Sequence, residues 1–99
     1  MRFNSEVRFE SAPREDEKWY RVAVITSPST GIRANVYKDE EVGLYYAELM
    51  DGKSQILGTE GVQESGWLEL GSHREIGITH AKNWLARVTI ERLFSGETK

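Results

Sequence analysis

Cysteine is absent from this chain of 99 residues, which excludes a disulfide framework, a thiolate metal site and a thiol nucleophile together. Imidazole is scarce: His73 and His80 are the only two. Seven residues apart on one helix, their backbones are ~10.5 Å apart, too far for one metal ion with ~2 Å bonds. Neither a metal nor a cofactor is therefore expected. No stretch approaches the ~20 apolar residues needed to cross a bilayer. Residues 1–6 carry charge without an apolar run behind it, so a signal peptide is not expected and a cytoplasmic location is the simplest expectation. Positive charge is in deficit as well. A net charge of −3 argues against a general nucleic-acid binder, which needs surplus Lys and Arg to displace phosphate counterions.

What remains is a globular composition, 38% apolar and 29% charged, with three Trp, four Tyr and three Phe. The length predicts one domain spanning residues 1–99, whose folding removes roughly 65% of the unfolded chain's accessible surface. Stability has to come from packing.

Val7 and Phe9 fall on the apolar side of a strict two-residue alternation over residues 2–10, the mark of a strand with one dry face. Pro13 and the charges around it break that strand. Trp19–Thr26 is rich in aromatic and β-branched side chains and predicts a second strand. A third is predicted over residues 32–38 and a fourth over 43–50. Asp51-Gly52 signals a type I′ hairpin turn into a fifth at 54–59. Residues 60–71 have a poor pattern, although Trp67, Leu68 and Leu70 predict a short extended piece. Ser72 and Glu75 fit a capping box opening a helix over residues 73–94, with Gly96 at its stop. Gly77 inside it costs ~1 kcal/mol against alanine. The expected fold is α+β: an antiparallel meander of four to five strands on one long C-terminal helix.

Motifs that could carry chemistry fail on geometry. Gly52-Lys53-Ser54 resembles the end of a phosphate loop, but Ala47 stands where the pattern needs its first glycine. Ser72 and His73 are adjacent and would point ~100° apart on a helix, so no hydrolase triad is expected there. The carboxylates Glu15, Asp16, Glu17 and Asp39, Glu40, Glu41 lie in expected turns, where water keeps them ionised. If both turns sit at one end of the sheet, they form an acidic rim for a basic partner. No catalytic residue is expected.

The apolar pattern is more informative. Trp19–Thr26 is apolar on both faces, with Tyr20, Val22 and Val24 opposite Trp19, Ala23 and Ile25, and such a strand expects cover on both sides. The helix carries one stripe through Gly77, Ile78, Ala81, Trp84, Leu85 and Val88. A second, Ala86, Ile90, Leu93 and Phe94, lies on nearly the opposite side. Residues 60–71 could fold over one of these surfaces; otherwise a second chain does. The expectation is a small acidic, non-enzymatic protein-interaction module acting as a homodimer, with Tyr20, Val22, Val24, Tyr37, Tyr45, Ile90, Leu93 and Phe94 at its contacts. An inhibitor or regulator that occludes a larger partner, such as a bacterial accessory or phage counter-defence protein, fits the same features. The alternative is a nucleic-acid-associated protein that stacks bases on its sheet tyrosines.

Overall fold

The structure, a computed structural model, describes residues 5–11, 13–56 and 66–97, with side chains through Glu91. Its elements are β1 (Glu6–Phe9), β2 (Trp19–Thr26), β3 (Arg33–Asp39), β4 (Leu44–Asp51), β5 (Ser54–Gln55), β6 (Leu68–Gly71) and α1 (Arg74–Glu97). All strand pairs are antiparallel, in the order β1-β2-β3-β4. The outer edge of β4 is shared: β5 pairs with its end and β6 with its beginning. This is the expected α+β meander on one C-terminal helix, with six strands where four to five are predicted. The extra strand, β6, comes from the stretch with the poorest pattern. The fifth expected strand is only two residues long as described, and residues 57–65 lie outside the described residues.

The core is built by interlocking sizes. Across the sheet, Ala23, Val36, Ala47 and Leu68 form one row, and Ile25, Ala34 and Leu49 the next. The three alanines are fully buried, and they leave room for the large residues of α1. Trp84 and Leu85 fill it, with Ile78, Ala81 and Val88 on the same stripe and Gly77 also buried. The first helix stripe is thus the sheet-facing one, as its periodicity predicts. Gly77 has a specific reason to lack a side chain: a Cβ there would meet the Leu70 Cβ at 3.2 Å. Its helix penalty permits α1 to lie closely on β6.

Three local expectations are corrected. The helix cap is His73, one residue past the expected Ser72: its Nδ1 accepts from the Ile76 N–H at 3.3 Å, and its carbonyl receives the Gly77 N–H at 2.8 Å. The β4–β5 turn is centred on Gly52 and Lys53, since Asp51 already pairs with Ser54. Positive φ occurs at Gly52 (64°) and, among the described residues, at no non-glycine residue, so the turn is II′ instead of I′.

The third correction concerns β2. Arg21 pairs with Tyr37 but Ala23 pairs with Val36, so Val22 is an extra residue, a β-bulge. Alternation restarts there, and Tyr20, Val22 and Val24 do not share a face. Tyr20 and Val22 pack with the helix-side core, whereas Val24 lies in the row of Asn35 and Glu48 on the other side.

Candidate interaction site

The helix covers only one face of the sheet, and strand register dictates what the other presents. Counting outward from the β3–β4 turn, Asp39 pairs with Leu44 and Tyr37 with Tyr46. On the β2 side, Trp19 pairs with Asp39 and Arg21 with Tyr37; on the far side Tyr46 pairs with Glu69. Paired residues project to the same face. Trp67 immediately precedes Leu68, which points into the core, so Trp67 turns outward.

Four rings meet there. Trp19 stacks on Tyr37 with centroids 5.2 Å apart and planes 10° from parallel. Trp67 stands edge-on to both, at 5.4 Å from Trp19 and 5.3 Å from Tyr37. Tyr46 tilts against Trp19 at 5.9 Å. These are the offset and T-shaped geometries that ring quadrupoles favour. Trp19 nevertheless stays 45% exposed. The exposed indole lines, together with Asp39, Tyr46 and Trp67, an open cleft of about 410 Å³.

The electrostatics change along this face. At the Asp39 end, the Asp39 Oδ1 accepts the Glu41 N–H at 3.0 Å, and no Lys or Arg pairs with Asp39 among the described residues. At the other end Tyr37 titrates above the ordinary phenol range. Burial is the main cause and the Glu48 carboxylate adds to it, while Arg21 and Arg33 pull the other way. Both cations are engaged: Arg21 meets Glu10 at 2.6 Å, and Arg33 donates to the Gly52 carbonyl at 2.9 Å.

The acidic turns do lie at one end of the sheet, where the Glu40 N–H donates to the Lys18 carbonyl at 2.8 Å. Their charge is partly spent internally. Arg14 pairs with Glu17 at 3.1 Å, and the Tyr20 hydroxyl donates to Glu40. That bond holds the Tyr20 proton, with burial and the Glu40 charge contributing, and pushes its pKa up to about 12. Glu15, Asp16 and Glu41 remain exposed.

The structure therefore divides the expected contact residues. Tyr37 belongs to the open cluster, and Val24 shares its face but is only 6% exposed. Tyr20, Val22 and Tyr45 pack with the helix side, where Lys38 Nζ lies 4.3 Å above the Tyr45 ring. Ile90 is 37% exposed. The side chains of Leu93 and Phe94 lie outside the described residues. Trp19, Tyr46 and Trp67 were not expected as contacts. Turn-counting alone places Tyr46 across from Tyr37, but the position of Trp67 depends on β6 pairing with β4.

A second surface, between β1 and the start of α1, is lined by Val7, Phe9, Arg74, Ile78 and Lys82. Arg74 lies 5.2 Å from the Phe9 ring centre, so that ring already has a cation over it. His80 is exposed, and among the described residues no group of three His, Cys, Asp or Glu could hold a metal ion. Nor is any helix among them long and apolar enough to cross a membrane. No known family, curated protein or solved structure matches this chain.

Proposed function

We propose that this chain is a non-enzymatic protein-interaction module that binds its partner through the helix-free sheet face. One observation carries the reading: four aromatic rings converge there, yet the central Trp19 keeps nearly half its surface in water. Trp and Tyr dominate the energetics of protein interfaces because they bury much area with few rotatable bonds. A partner that occludes or is occluded by this face would give the chain an inhibitory or regulatory role. A second copy is one candidate, since Ile90 on α1 is also exposed.

Single-stranded nucleic acid would use the same rings. Asp39 and Glu69 lie in the rows that carry them and Glu48 acts on Tyr37 from the neighbouring row, and carboxylates beside the rings repel phosphate. The test is capture of partners from source-cell lysate by the intact chain, by Trp19→Ala and by Ile90→Ser, each checked for unchanged circular dichroism. A protein lost with Trp19→Ala and kept with Ile90→Ser supports the sheet face. Loss with Ile90→Ser alone points to the helix. Identical capture by all three, or salt-sensitive binding to oligonucleotides that requires Trp19, overturns the reading.

A further inference from the structure

We infer that the cleft between Trp19, Tyr46 and Trp67 receives an arginine side chain of the protein partner, with the guanidinium stacking on the exposed Trp19 indole and pairing with the Asp39 carboxylate. This rests on the reading of the helix-free face as the interaction surface and names what that face selects.

The first argument is geometric. Trp19 and Asp39 are register partners, so their side chains rise next to each other from adjacent strands. A planar cation stacked on the exposed indole would thus have the Asp39 carboxylate within reach, since both residues line the cleft. That combination suits a guanidinium, which stacks on an aromatic face and presents paired N–H groups in its own plane. The cleft, about 410 Å³ and open to solvent, admits the guanidinium with its alkyl stem along Trp67 and Tyr46.

The second argument is one of charge. Elsewhere in the molecule, aromatic rings beside the core already have cations over them, Lys38 on Tyr45 and Arg74 on Phe9. Among the described residues, no Lys or Arg lies over the rings of Trp19, Tyr46 or Trp67, and none pairs with Asp39. The adjacent Glu40 and Glu41 reinforce the negative potential that would attract a basic segment. A phosphate-bearing base or a neutral sugar could stack on Trp19, but neither would benefit from Asp39 as a cation does. A lysine ammonium is more strongly hydrated and cannot lie flat on the ring, so arginine is the better occupant.

The test is an NMR titration of the full chain with N-acetyl-arginine methylamide, following the indole N–H signals of Trp19 and Trp67. The matched citrulline and lysine compounds and an Asp39→Asn variant serve as controls. Asparagine keeps a side-chain oxygen for the Glu41 N–H and removes only the charge. The expected result is a saturable shift at both indoles. It should be about fivefold weaker for citrulline, for Asp39→Asn, and in molar salt, with lysine between arginine and citrulline. Equal binding of arginine and citrulline, an unaltered titration in Asp39→Asn, or no indole shift at ~100 mM probe overturns the inference. If that happens while Trp19→Ala still abolishes partner capture, the arginine assignment falls and the interaction face stands. If arginine binds as expected but partner capture ignores Trp19, the interaction reading falls and the assignment of a partner's arginine falls with it.

Discussion

Under the helix, the three central strands present Ala23, Ala34 and Ala47, all fully buried; on the reverse side, the same strands present Trp19, Tyr37 and Tyr46. A sheet face that must accept a helix needs small residues to let the backbones approach, and the large side chain comes from the helix, as Trp84. The reverse face carries the bulk itself, in rings that contact one another. Two tryptophans in one small protein thus have opposite circumstances, Trp84 at 1% exposure and Trp19 at 45%.

Replacing each tryptophan by alanine is the most direct way to break this contrast. Trp84→Ala should cost about 3–5 kcal/mol, enough to unfold a domain of ordinary stability, whereas Trp19→Ala should cost at most about 2 kcal/mol. Urea titrations of both variants check this, and equal losses would end the distinction between a structural and a functional face. Ala34→Leu probes the same boundary from the other side. Its fully buried position should make the added methylenes cost about 1–3 kcal/mol through overpacking, and an unchanged denaturation midpoint would show that the helix does not sit close there.

Thr89 sharpens the comparison within the helix. It is fully buried, and its Oγ1 has no hydrogen-bond partner among the described residues. Thr89→Val, similar in shape, should therefore raise stability by about 1 kcal/mol, and a loss of stability would mean that the hydroxyl is satisfied. The smallest effect belongs to Tyr20 at the rim. Its pKa is raised from 10.0 to about 12 in the folded chain, so the folded state holds the proton more tightly than the unfolded one. The resulting stabilisation is complete below pH 10 and is lost as pH rises toward 12. Wild type should thus lose slightly more stability than Tyr20→Phe between pH 9 and pH 11.5. Parallel pH profiles of the two would show that the Tyr20–Glu40 bond is not held in solution.

Elements whose pattern is local were legible in the sequence. The helix stripe from Ile78 to Val88 repeats every three to four residues, and the strands from Trp19 to Asp51 follow β-propensity and turn residues within a few positions. The site was only partly legible, because it depends on pairing between distant segments. Tyr37 was expected at a contact, but its companions come from β2, β4 and the residue before β6, and no local signal says that β6 lies along β4. The exchange of Ser72 for His73 at the helix cap is an error of one residue, since either side chain can accept the orphan N–H. The assignment of Tyr20 and Val22 to the open face failed for a different reason. Strict alternation holds along a strand only while its ladder is unbroken, and the bulge breaks it.

That inserted Val22 has an evolutionary corollary. Because Arg21 already pairs with Tyr37 and Ala23 with Val36, loss of this single codon would close the ladder into regular alternation without inverting either half of the strand. Trp19 would stay outward and Tyr20 inward, and only the extra helix-side valine would be lost. One in-frame deletion there would therefore straighten the strand and leave the chemistry shown to the outside world as it is.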